Sequence, residues 1–185
     1  MKETVQTVLK EVEEVLERSV EDSSFSALAD LVKSAPRIFI AGEGRSGLVG
    51  KMIAMRLMHS GFTVYVTGET ITPSIQKNDL LMILSGSGKT GNLVKMADTA
   101  KQEGASIACF TTDPASPLAE NSHHTVEVKA ATKYRREGEP PTIQPLGNQF
   151  DQSLHLLLDA FIIHLLKGSP AQSNDSLAKR HANLE

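Results

Sequence analysis

The sequence predicts an α/β fold with a mainly parallel sheet and helices on both faces. Two observations carry this. Short apolar runs alternate with helix-period segments four or five times along the chain. Glycine-rich turns close two of those runs and open the helices that follow, which is how parallel strands are joined. A third observation sets the scale. The chain has 185 residues, 40% hydrophobic and 22% charged, enough for one packed domain over 1–185. Neither an internal repeat nor a composition break asks for a boundary.

Residues 3–20 place Val5, Val8, Leu9, Val12, Val15, Leu16 and Val20 at helical spacing, with Glu and Lys opposite. That stripe must pack on the domain or on another subunit. Ser23 or Ser24 is expected to cap a second helix over 25–34, ended by Pro36. The first strand is 37–41, followed by a turn at 42–47. A helix over 48–60 then turns Met52, Met55 and Met58 to the core, and Gly61 stops it. Residues 62–67 alternate as a strand, and 68–73 form a loop. Asp79 opens the third strand, whose apolar run is Leu80 to Leu84. Ser85-Gly86-Ser87-Gly88-Lys89-Thr90-Gly91 is a turn, and 92–102 a helix ended by Gly104. A strand over 105–111, a turn at 112–114, a short helix over 116–121 and a strand over 125–129 follow. Residues 130–147 are polar and hold Pro140, Pro141 and Pro145; a loop of that length is usually functional or mobile. The segment 150–167 is a strongly apolar helix on which His155 and His164 are read as packing residues. Gly168-Ser169-Pro170 ends it, and the tail 171–185 is polar.

Composition excludes several classes. A net charge of -3 argues against a general nucleic-acid partner. Aromatic residues make up 4% and tryptophan is absent, so stacking platforms are few. No apolar run approaches a membrane span, and the first residues lack a signal-peptide core. The single cysteine, Cys109, builds no disulfide framework, so a cytoplasmic home is the simplest. His123 and His124 are adjacent on a strand approach, face opposite sides and make a poor metal pair; no metal site is expected.

Ligands in such sheets bind at the carboxyl ends of the strands, where both glycine turns and the Glu69 loop fall. Gly42, Gly44 and Gly47 match the G-x-G-x-x-G dinucleotide fingerprint, but Thr67 and Gly68 stand where a ribose-binding acid belongs. Arg45 and Ser46 fit a polar ligand better. The second turn contains Gly88-Lys89-Thr90, yet a Walker A loop needs glycine where Ile83 stands. What remains is a hydroxyl-rich turn at a helix N-terminus, with Ser85, Ser87 and Thr90 around Gly86 and Gly88. That is a set of neutral donors suited to a phosphate monoester.

A strand ending in Ser-x-Ser-Gly-x-Thr, preceded by a Gly-x-Gly-x-Ser turn, resembles the sugar isomerase (SIS) family. Four further stretches resemble its 6-phospho-3-hexuloisomerase branch: 41–47, 54–59, Thr142-Ile143-Gln144-Pro145-Leu146-Gly147 and His181-Ala182-Asn183-Leu184-Glu185. The resemblance covers nearly the whole chain. It implies a three-layer, flavodoxin-like α/β/α sandwich with five parallel strands. It also implies a homotetramer built with the N-terminal helix 3–20, the apolar C-terminal helix and the tail 169–185. The implied activity converts D-arabino-3-hexulose 6-phosphate to D-fructose 6-phosphate, after formaldehyde is fixed onto ribulose 5-phosphate in the ribulose monophosphate pathway. That chemistry moves a proton through an enediol and needs no metal or cofactor.

The family's base is a carboxylate, usually Glu, at the start of the long C-terminal helix. Here that position is Asp151, which otherwise only charges its helix end. The resemblance makes Ser46 and the run Ser85 to Thr90 the substrate-holding residues. Lys89, where relatives commonly carry Glu, either adds charge there or points to solvent, the latter favoured. Glu69 is a second acid or base, or a loop ion pair. His59 reads as a helix-end cap or a catalytic partner. His181 completes a neighbouring subunit's site or is a surface residue. Arg45 and Arg56 meet phosphate, a carboxylate, or another subunit. Two competing functions are another phosphosugar isomerase, of the arabinose 5-phosphate type, and a non-catalytic phosphosugar-binding regulator. A regulator is expected to carry an attached DNA-binding domain, for which this length leaves no room.

Overall fold

The computed structural model describes residues 1–184. Two helices lead, α1 (Lys2–Ser19) and α2 (Asp22–Ser34). Then come β1 (Ile38–Gly42), α3 (Gly44–His59), β2 (Val64–Val66), β3 (Leu80–Leu84), α4 (Gly91–Gln102) and β4 (Ser106–Thr111). The chain finishes with α5 (Pro117–Glu120), β5 (His124–Glu127), α6 (Asn148–Leu165), a 3-10 turn (Pro170–Gln172) and α7 (Asn174–Ala178).

The five strands form one parallel sheet in the order β2-β1-β3-β4-β5. The middle strand β3 is apolar at every position and β1 and β4 are apolar through their centres, and the alternation divides the side chains between two faces. Ile38, Ile40, Leu80, Met82, Leu84, Ala108 and Phe110 meet residues of α1, α2, α3 and α6. Phe39, Ala41, Leu81, Ile83, Ile107 and Cys109 meet α4 and Leu118 of α5. The result is three layers. From β1 the chain moves outward to β2, then returns to β3 and moves the other way. The right-handed crossover rule therefore puts α3 on one face and α4 and α5 on the other.

Several local readings are corrected. Helix α2 starts at Asp22 with Glu21 at its N-cap, so Ser23 and Ser24 lie inside its first turn rather than capping it. Ser23 instead donates to the Glu21 carboxylate at 2.9 Å. Helix α3 starts at Gly44, not 48, and takes most of the expected turn into its first turn. Gly42 and Gly47 explain why: a Cβ on Gly47 would lie 2.6 Å from the Gly42 carbonyl oxygen, so strand and helix touch through bare backbone. Helix α3 docks through Val49, Ile53, Ala54 and Leu57. That leaves Met52, Met55 and Met58 on its outer face, 38–42% exposed, rather than in the core. His164 is exposed, and the half-exposed His155 pairs with Asp159 at 3.1 Å, so neither is a packing residue.

At the amino ends of β1 and β3, Arg37 donates from Nε to Asp79 at 3.0 Å, and the Gln76 N–H donates to the same carboxylate at 2.7 Å. Asp79 is 1% exposed. The tail folds back to this same end of the sheet. Leu177 packs against the core, and Arg180 donates to the His59 carbonyl at 3.4 Å.

Candidate active site

The strand order reverses between β1 and β3, and ligands of open α/β sheets bind in the crevice outside such a switch point. Three helices begin there. Gly44, Gly91 and Asn148 open α3, α4 and α6, and neither α3 nor α4 has a side-chain cap. Their first N–H groups are thus left for a ligand, and their dipoles favour an anion. A cavity of about 330 Å³ lies among them. Its walls include Arg45, Ser46, Gly86, Ser87, Phe150 and Asp151, with Thr132, Lys133 and Tyr134 from the long loop.

Asp151 sits in the first turn of α6, only 7% exposed. Ser46 donates to its Oδ1 at 2.8 Å, and Arg45 Nε to its Oδ2 at 3.3 Å. Burial pushes the Asp151 carboxyl above its usual range, while the Ser46 hydrogen bond and the Arg45 charge pull part of the way back. A buried acid with a raised pKa, in a cleft, is a candidate for proton transfer.

The serine turn is braced from below. The Gly86 carbonyl accepts from Thr112 N–H at 3.1 Å and Thr112 Oγ1 at 2.8 Å. Gly88 has φ +62°, and a Cβ there would fall 2.0 Å from Ser116 Oγ, so only glycine fits. A Cβ on Gly86 would press within 3.2 Å of the Phe150 ring. Gly86 and Ser87 face the cavity. Ser85 is buried, with its hydroxyl 3.5 Å from that of Thr90, which is the N-cap of α4.

Other expected site residues are not brought there. Lys89 turns away to Asp113, 3.1 Å between Nζ and Oδ2. Glu69 pairs with Lys51 at 2.6 Å and does not line the cavity. His59 and His181 stack on each other with ring centroids 5.2 Å apart at the far end of α3. That is roughly 20 Å from Ser46 at 1.5 Å per helical residue. His59 is buried, and burial, His181 and Arg56 hold its pKa down. Cys109 is inert, its thiol pushed up to about 12 by burial. Among the described residues no cluster of His, Cys, Asp and Glu has the arrangement of a metal site. None of their helices is long and apolar enough to cross a membrane. The loop residues Thr132, Lys133 and Tyr134 were missed; the signal available was the dense run Lys133-Tyr134-Arg135-Arg136 within an otherwise diffuse loop.

The SIS domain matches residues 31–144, which takes in β1 through most of the long loop. The chain belongs to the SIS domain family. This SIS chain is 45% identical to a 3-hexulose-6-phosphate isomerase of Mycobacterium gastri, over 90% of its own length and 82% of the relative's. It is 40% identical to the enzyme of the same name from Bacillus subtilis, over 85% of each. Among solved structures, a hypothetical protein of Methanococcus jannaschii, whose structure inferred a function of 3-hexulose-6-phosphate isomerase, superposes with a TM-score of 0.85. It is 31% identical and matched over 99% of both chains. The parallel five-stranded sheet expected from sequence is thus the SIS fold.

Proposed function

We propose that this protein interconverts 3-hexulose 6-phosphate and fructose 6-phosphate, with Asp151 as the base. The observation that carries the chemistry is the buried Asp151 carboxyl, held by Ser46 and Arg45 in a cavity that the serine turn also lines. Relatives bearing the isomerase name over most of this chain carry the substrate assignment. The alternatives, an arabinose 5-phosphate isomerase and a non-catalytic regulator, have no comparable support.

The substrate carries its carbonyl at C3 and a hydrogen at C2. The Asp151 carboxylate removes the C2 proton and leaves a 2,3-enediolate. The same carboxyl returns the proton to C3 while the hydroxyl proton moves from O2 to O3, so the carbonyl ends at C2. Arg45 and the free N–H groups at the start of α3 offer positive charge to the enediolate oxygens. The phosphate sits on Ser87, the α4 N-terminus and the neighbouring backbone. Because aspartate is one methylene shorter than glutamate, the sugar must sit close to the start of α6.

Purified protein given 3-hexulose 6-phosphate with EDTA present should form fructose 6-phosphate. Asp151→Asn should lower kcat about 10²-fold or more while the sugar still binds. Full activity in that variant would rule out Asp151 as the base. Upstream, the substrate would come from fixation of formaldehyde onto ribulose 5-phosphate, a cytoplasmic route. We read the active form as a homotetramer of single SIS units over 1–185, and the exposed stripe of Leu48, Met52, Met55 and Met58 supports burial against another subunit.

A further inference from the structure

The long loop over 130–147 is tied down tightly for a segment without helix or strand. Thr132 donates to Glu139 through both its N–H, at 2.9 Å, and its hydroxyl, at 2.7 Å. Arg135 donates to the carbonyls of Thr132, Gln144 and Leu146. Between these two anchors stand Lys133 and Tyr134, both lining the cavity that Ser87 also lines. The Lys133 ammonium and the Arg136 guanidinium lie over the Tyr134 ring, 5.1 and 5.4 Å from its centre.

Charge then decides what Lys133 is for. The cavity wall holds two carboxylates, Glu43 and Asp151, and two cations, Arg45 and Lys133. Arg45 is already engaged by Asp151 and by Asn148. Lys89, the cation within the serine turn, is held by Asp113. Lys133 pairs with no carboxylate among the described residues. Without it the wall would be one charge negative, and a phosphate monoester carries close to two negative charges at neutral pH. Neutral hydroxyls and N–H groups alone would leave that charge uncompensated in a partly desolvated site.

We infer that Lys133 is the charge partner of the substrate's phosphate, brought by the anchored loop to the cavity that the serine turn also lines. This rests on the phosphosugar reading of the same cavity. It makes Lys133 a binding residue, distinct from the proton-transfer group, and it makes the loop the part of the fold that selects phosphorylated over free sugars.

The test compares the parent with Lys133→Ala and Lys133→Arg. Turnover of 3-hexulose 6-phosphate and competitive inhibition by inorganic phosphate are measured together. Lys133→Ala should raise both KM and the inhibition constant for phosphate about tenfold or more, with kcat within about twofold. Lys133→Arg should recover most of both. An unchanged phosphate constant overturns the assignment, and so does a fall in kcat at constant KM, which would place the ammonium at the reacting carbons. A third measurement separates this from the isomerase reading. Inorganic phosphate should raise the parent's Tm and shift that of Lys133→Ala much less, whether or not the parent turns over the hexulose. A parent that responds to phosphate but lacks turnover refutes the reaction and leaves Lys133 in place; equal Tm shifts in parent and variant refute Lys133.

Discussion

Asp151 is held where its charge is costly and its proton useful. Burial favours the neutral acid, and Ser46 and Arg45 only partly restore the anion. Two consequences follow, with signs that can be checked. The base must be ionised to act, so kcat/KM should rise with pH along an acid limb. The midpoint of that limb lies above the ordinary aspartate value of 3.8. Ser46→Ala removes a hydrogen bond to the anion and should move the midpoint further up. For stability the sign is opposite. A carboxyl whose pKa is raised on folding contributes stability that is full below 3.8 and is lost as pH rises through the raised value. Asp151→Asn should therefore melt no lower than the parent at pH 7 while losing turnover. Asp151 was legible in the sequence as a carboxylate opening an apolar helix. Its bond to Ser46 was not, because 105 residues separate them and only the packing of α3 against α6 closes that distance.

At the scale of elements, the long loop was legible as an interruption but not as one wall of the cavity. Part of its order comes from outside itself. Glu11 on α1 accepts from Thr142 Oγ1 at 2.6 Å, Ile143 N–H at 2.8 Å and Gln144 Nε2 at 3.0 Å. Against the cost of burial, these bonds and the charge of Arg135 hold Glu11 below its usual pKa. Helix α1, expected from its stripe to pack on the body or a partner, does the first through Val12 and Val15 and also clamps the loop. No periodicity reveals such a clamp, since a glutamate on a polar helix face looks the same whether or not it has a partner. Glu11→Ala should free the loop without unfolding the sheet. The expected outcome is faster tryptic cleavage after Lys133, Arg135 or Arg136 and a KM raised several-fold, read by timed digestion and steady-state kinetics. Equal digestion rates would mean that Arg135 and Glu139 suffice to hold it.

For the whole molecule, topology was the most legible feature. Four apolar runs bounded by glycine turns allow few arrangements once crossovers are right-handed. The outer face of α3 was the least legible. Met52, Met55 and Met58 are equally at home in a core or under a second subunit, and hydrophobicity alone cannot separate the two. If that stripe is covered by another copy, sedimentation equilibrium should return about four times the 20.0 kDa chain mass. A monomer in solution would mean that the stripe stays open.

The Arg37–Asp79 pair, its carboxylate buried, lies at the amino ends of the strands, and the cavity at their carboxyl ends. Six residues of extended chain from Asp79 to Ser85 put roughly 20 Å between them. Groups that far apart with no shared partner contribute free energies that simply add. The molecule therefore has two nearly separable ends, one that fixes how firmly the sheet is closed and one that fixes what it does to a sugar. A lineage, or an engineer, can spend stability gained at Asp79's end on strain at Asp151's end without either adjustment disturbing the other.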